Sequence, residues 1–268
     1  MKTKWVSAPY LVWMTVFIAV PLLMIAVFAF TTNDGAFTIK NIQDVGQYAN
    51  IFFRSIWLSV IATAICLVVS YPVSFILSRM EKHKQATMLM IVMLPMWMNF
   101  LLRTYAWMTL LGNNGVINYL LGLIGLGPFK LINTSGAVVL GMVYNYLPFM
   151  ILPLYSVMVK IDKSVIEAAS DLGCSGISTL FRVIVPLSLP GITSGITMVF
   201  VPAISTFIIS RMLGGGSNLL IGDLIEMQFL GNAYNPHLGA AISLVLMVII
   251  LVIMTVMNQF SPDDQVLI

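Results

Sequence analysis

The sequence predicts an all-α membrane protein with six transmembrane helices and a short cytoplasmic helix between the fourth and fifth. Three observations predict it. The 268-residue chain is 59% hydrophobic and only 9% charged, with a mean hydropathy of +0.99, outside the range of soluble domains. Six apolar runs, near residues 8–30, 56–77, 86–111, 135–159, 189–210 and 238–258, can each cross the ~30 Å hydrocarbon core as a helix. Between the fourth and fifth runs lies a polar island, residues 164–186, with helix start and stop signals of its own. The whole chain, 1–268, reads as one transmembrane domain.

The first run resembles a signal peptide, but its length, the lack of a small-residue cleavage site and the later spans mark it as a retained helix. Each of the first five runs carries proline inside it: Pro21, Pro72, Pro95, Pro148 with Pro153, and Pro202. Proline removes a backbone donor and kinks a helix. Two readings are open, irregular packing or a gated cavity built from broken helices. The third run also contains Arg103, with Trp97, Asn99, Tyr105 and Trp107 around it. Such an arginine either snorkels to the headgroups or faces an interior path. The fourth run repeats this texture with Tyr144, Asn145 and Tyr146 ahead of Pro148.

Orientation is set by the bias of Lys and Arg toward cytoplasmic loops. Lys2, Lys4, Arg79, Lys82, Lys84, Lys160, Lys163 and Arg182 share one side, and Lys40, Arg54, Lys130 and Arg211 the other. Both termini and the 164–186 island are therefore expected in the cytoplasm. Segments 31–53, 112–134 and 211–236 are expected outside. The net charge of +3 is dispersed along these flanks, which points to topology and the lipid bilayer rather than to nucleic acid. Cys66 and Cys174 fall at different depths, so no disulfide is expected, and no metal-ligand spacing occurs.

The ten acidic residues all fall in loops or tails. A chain that moves ions or solutes on an ion gradient usually keeps a carboxylate at mid-membrane, and a motor needs a phosphate-binding glycine loop. Neither is present, so the energy is expected from another chain. Gly173-Cys174-Ser175-Gly176 with His237 imitates an intramembrane protease, yet the topology places serine and histidine on opposite sides of the membrane, far beyond hydrogen-bond reach. No catalytic residue is expected. Within the island, Ser164 and Glu167 read as a capping box and Gly173 as a left-handed stop. A helix of about two turns, with Ala168 and Ala169 on it, is marginal alone and needs a docking partner. Leu180, Phe181 and Ile184 are expected to pack the next segment under the bundle.

The pattern Glu167-Ala168-Ala169, three residues, Gly173, nine residues, then Val183-Ile184-Val185-Pro186 resembles the cytoplasmic loop of ATP-binding-cassette importer permeases of the binding-protein-dependent, MetI-like class. Val183 and Val185 stand where that family usually carries isoleucine and leucine. The 94–107 segment, Leu213-Gly214-Gly215-Gly216 and the 220–230 segment are similar to its spermidine/putrescine branch. The resemblance implies a bacterial plasma-membrane subunit paired with a second permease, a cytoplasmic ATPase dimer that holds ATP and Mg, and an extracytoplasmic polyamine-binding protein. It implies no cofactor on this chain. It also implies that Ser164, Glu167, Ala168, Ala169, Asp171, Gly173 and Pro186 meet the ATPase. The translocation path is expected to include Trp97, Asn99, Arg103, Tyr105, Tyr144, Asn145 and Tyr146, with Asp223 and Glu226 as an external acidic pair for a polycation or for the binding protein. Arg103 and Arg211 suit a cation poorly, which keeps another organic cation, an amino acid derivative or an anion open as cargo.

Overall fold

The computed structural model describes residues 8–216, 218–231 and 233–259. Lys2, Lys4, Asp263 and Asp264, used above for topology and acid placement, lie outside the described residues. The first span, α1 (Pro9–Ala29), is helical throughout but widens into a π turn at Thr15–Ala19, just before Pro21. Proline has no N–H, and its ring presses on the carbonyl four residues earlier, so a wider turn there relieves the clash. A short helix, α2 (Lys40–Val45), leads into α3 (Ala49–Arg79). At 31 residues, α3 is about 46 Å long and extends past both ends of the predicted second span.

The buried face of α3 is a stripe of small residues: Ser55, Ser59, Ala62, Thr63, Cys66, Ser70, Ser74 and Ser78. Small side chains let helices approach closely in lipid, where no water drives them together. The hydroxyls of Ser55, Ser59 and Thr63 donate to the carbonyls of Ile51, Ser55 and Ser59 at 2.7–2.9 Å. Ser59 and Thr63 are thus satisfied within the helix, while Ser55 Oγ also accepts the Ile221 N–H at 2.9 Å.

The expected third span is not one helix. It divides into α4 (Lys82–Trp97) and α5 (Phe100–Leu111), which continues into α6 (Val116–Leu123), with an 85° bend at the break. The reason lies in two residues. Pro95 sits in the last turn of α4, and the Asn99 side chain accepts the N–H groups of Leu101 and Leu102 at 2.8 and 3.3 Å, starting a new helix. The central helix is α7 (Ser135–Met158), whose Val138, Met142, Met150, Leu154 and Met158 are fully buried.

Between the fourth and fifth spans come α8 (Lys163–Asp171) and α9 (Gly176–Leu187). After α9 the chain turns by 70° into α10 (Leu189–Ile204). A second π turn, Leu180–Ile184, again ends two residues before a proline, Pro186. The fifth span is shorter than the sequence suggests. It ends at Ile204, and α11 (Ile208–Gly214) is a separate element. The break receives the start of α12 (Ile221–Leu230), where Gly222 lies so close that a Cβ would come within 2.4 Å of the Ser205 carbonyl oxygen. The last span is α13 (Pro236–Gln259).

Two apolar cores hold these elements. One joins α3, α5, α7, α10 and α11 through Cys66, Leu111, Met142, Met150, Val199, Ile209 and Leu213. The other gathers α1, the start of α3, α10, α12 and α13 around Ala29, Phe52, Phe200, Ile204, Ile221 and Ile242. Among the described residues four helices are long and apolar enough to cross a membrane, and the two bent pairs bring the number to six if each is one span.

Candidate functional site

Two regions are built for contact rather than for packing. The first is α8. Its start is capped by Asp162, whose extended backbone turns the chain and whose Oδ1 accepts the Ser164 N–H at 3.1 Å. This corrects the expected Ser164–Glu167 capping box: the third helical position is Val165, and Ser164 and Glu167 are exposed side chains on the helix itself. Asp serves as a cap as well as Ser does, so two adjacent candidates competed and the extended residue won. The Ser164 hydrogen bonds, chiefly from its backbone, hold the Asp162 carboxyl below the usual range, with a smaller contribution from Arg79.

The stop signal is as expected. Gly173 has φ +82°, and the N–H groups of Gly173 and Cys174 bond the carbonyls of Ser170 and Ala169 at 2.9 and 3.0 Å. This double bond pattern closes a helix through a left-handed residue. Ala169 is buried, while Ala168 and Asp171 are exposed. Beside them Leu172 is 86% and Ile177 74% exposed. Phe181, expected to pack under the bundle, is also exposed, and Ile184 alone of its trio is fully buried. Pro186 is exposed at the bend into α10, where buried Ser188 hydrogen-bonds Tyr71 of α3 at 2.9 Å.

Three residues that sequence reasoning passed over tie this region to the bundle. Arg79 Nη1 donates to the Ile161 carbonyl at 3.0 Å, one residue before the cap. Buried Gln85 donates to the Met80 carbonyl at 2.8 Å and accepts the Tyr155 hydroxyl at 2.9 Å. The end of α3, the start of α4 and the end of α7 are joined just where α8 begins. A polar residue at 85 within an apolar helix was the available signal.

The second region is a cavity of about 450 Å³ lined by Met96, Phe100, Arg103, Asn145, Tyr146, Phe149, Met198 and Pro202. It brings together three of the predicted path residues. Arg103 is turned inward and only 8% exposed, with Cζ 5.8 Å from the centre of the Phe100 ring. Asn145 donates to the Gly141 carbonyl at 2.8 Å, and Tyr146 to the Pro202 carbonyl at 3.3 Å. Asn145 Oδ1 and Arg103 Nε and Nη1 are enclosed without a hydrogen-bond partner.

The other predicted path residues lie elsewhere. Trp97 is 72% exposed at the break, Asn99 is the cap of α5, and Tyr105 is on an exposed face. Tyr144 stacks edge-on against Trp107 at 5.4 Å. These positions depend on the 85° bend, which a continuous third span does not anticipate. Phe100, Phe149, Met198 and Pro202 were missed. The four-residue spacings 145–149 and 198–202 were the trace they left.

The external acids do not form a shared face. Asp223 is 1% exposed and its Oδ2 accepts the Leu220 N–H at 2.9 Å, capping α12. Burial raises its carboxyl above the usual range. Glu226 instead holds Arg211 through two hydrogen bonds, the Nη1–Oε1 one at 3.1 Å. The positive charge of Arg211, awkward for a cationic cargo, is compensated within the chain.

A multi-pass helical bundle with a cavity that holds Arg103 and Asn145, and an exposed, capped helix between two spans, is the form of a transport permease subunit. The chain belongs to the family of binding-protein-dependent transport system inner membrane components, which it matches over residues 1–263. It is 38% identical over 247 residues to the spermidine/putrescine transport system permease protein PotB of Haemophilus influenzae, covering 88% of this chain and 86% of that one. The fold is that of a bacterial ABC transporter involved in the import of the acidic polysaccharide alginate, with a TM-score of 0.82 at 16% identity over 97% of this chain and 94% of that one. A structure of the bacterial alginate ABC transporter in complex with an alginate pentasaccharide-bound periplasmic protein superposes with a TM-score of 0.73 at 17% identity, over 94% and 91% of the two chains.

Proposed function

We propose that this chain is one of two permease subunits of an ATP-driven polyamine importer and forms half of its translocation path. The observation that carries the cargo is the similarity to spermidine/putrescine permeases along nearly the whole chain. In this reading both termini and α8 face the cytoplasm of a bacterial cell. An extracytoplasmic binding protein delivers the polyamine to the outer face. The chain itself catalyses nothing, and ATP and Mg are held by a partner ATPase dimer.

The exposed surface of α8, with Glu167, Ala168 and Asp171 beside Leu172 and Ile177, seats on that ATPase. A capped helix with a defined end moves as a unit, and the ties through Arg79, Gln85 and Tyr155 pass its displacement to three spans. Within the cavity, Phe100, Tyr146 and Phe149 supply aromatic faces, each worth about 0.5–2 kcal/mol to an ammonium group. The test is reconstitution of the complete complex. Glu167→Ala or Gly173→Asp abolishes binding-protein-stimulated ATP hydrolysis while leaving membrane insertion intact; full coupling in both variants overturns the docking assignment. A binding partner that selects a sugar or an oxyanion overturns the polyamine cargo.

A further inference from the structure

Arg103 carries a charge that its own chain leaves uncompensated. Its guanidinium lies in the cavity with Nε and Nη1 sealed from solvent and without a hydrogen-bond partner, and its one ring contact is Phe100. A guanidinium does not shed its proton in proteins, and a stranded buried charge costs several kcal/mol. No carboxylate lines the cavity. Glu226 is paired with Arg211 and Glu81 with Lys84, while Asp223 caps α12 through Oδ2, its Oδ1 enclosed without a partner, and none of the three lines the cavity.

The missing countercharge must therefore come from outside the chain. The cavity's lining includes Met198, an apolar side chain 53% exposed on the outer flank of the bundle. In a bilayer this flank meets lipid tails or another protein, and lipid tails cannot compensate a cation. A polyamine cannot either, since it carries the same sign. We propose that Arg103 is the docking point for a carboxylate carried by a span of the second permease, so that the two subunits together form a neutral ion pair at the wall of the path. This rests on the two-permease reading above. Pairing removes the positive charge that would repel the cargo, and it leaves Asn145 Oδ1, itself without a partner, as the acceptor that a passing ammonium group meets.

The experiment uses the whole complex, with both permeases, the ATPase and the binding protein, in proteoliposomes loaded with ATP. Arg103→Glu opposes two carboxylates and lowers labelled spermidine uptake by roughly tenfold or more, while co-purification of the subunits shows that assembly persists. Changing acidic residues of the second permease's spans to arginine one at a time identifies a position that restores uptake only in the Arg103→Glu background. The proposal is overturned if no such reciprocal swap exists, if Arg103→Met keeps full uptake, or if replacing chloride by gluconate reproduces the loss, which assigns the countercharge to a free anion. A wild-type complex that moves no spermidine fails the cargo reading alone. The swap is then scored by binding-protein-stimulated ATP hydrolysis.

Discussion

Asp162 and Gly173 bracket a nine-residue helix that has almost no cooperative stability of its own. At its start, a carboxyl with a depressed pKa stabilises the folded form above the ordinary carboxylate range, and that contribution is lost as pH falls through the folded value. Amide exchange at Ser164 is therefore expected to accelerate on acidification relative to the pH dependence of free peptides. Asp162→Asn is expected to flatten that dependence. At its end, Gly173→Ala forces a Cβ into a left-handed backbone, costing about 1 kcal/mol. Amide exchange at Cys174 and lowered coupling report it. The sequence carried the stop plainly, because only glycine takes φ +82° cheaply. The start was ambiguous because Asp162 and Ser164 are both good caps, and only the backbone geometry separates them.

At the scale of elements, two π turns end two residues before Pro21 and Pro186, and the cap at Asn99 stands four residues beyond Pro95. Proline positions were legible; which of them would bend a span and which would only widen a turn was not. After Pro95, Asn99 accepts the N–H groups of Leu101 and Leu102 and starts a new helix, whereas Pro72, Pro148 and Pro153 lie inside helices that continue. Asn99→Ala is expected to destabilise the first turn of α5 by about 1 kcal/mol, measured as faster amide exchange at Leu101 and Leu102. The ties beside α8 give a further expectation. Tyr155→Phe removes the hydroxyl that Gln85 accepts, so α4 and α7 move less tightly together. A spin-label pair on α4 and α7 is expected to show a broader distance distribution.

For the whole molecule, the hydropathy runs predicted six crossings, and the six apolar segments are there as single helices or bent pairs. The cavity was half legible. Arg103, Asn145 and Tyr146 were recognisable as polar groups in apolar runs, but their apolar neighbours Met96, Met198 and Pro202 carry no distinguishing pattern in a chain with 19 methionines. Orientation yields a direct check. Cys174, half-exposed beside α8, is expected to react with a membrane-impermeant maleimide in inside-out vesicles and not in intact cells, whereas buried Cys66 reacts in neither. Labelling of Cys174 from outside reverses the topology.

The placement of α1 governs how the bundle is assembled in time. Its first turns, with Tyr10, Trp13 and Phe17, are exposed, and its packing is against α13, the last span of the chain. A ribosome delivers α1 first and α13 last. The first helix is therefore made long before the helix it packs on, and in that interval its neighbour is α2, whose Asn41 donates to the Ala29 and Thr31 carbonyls at 3.1 and 3.0 Å. The core of α3, α7 and α10 closes before it. Truncations that remove α13 are expected to leave that core folded and α1 adrift, so the two ends of the chain form one late-closing clasp.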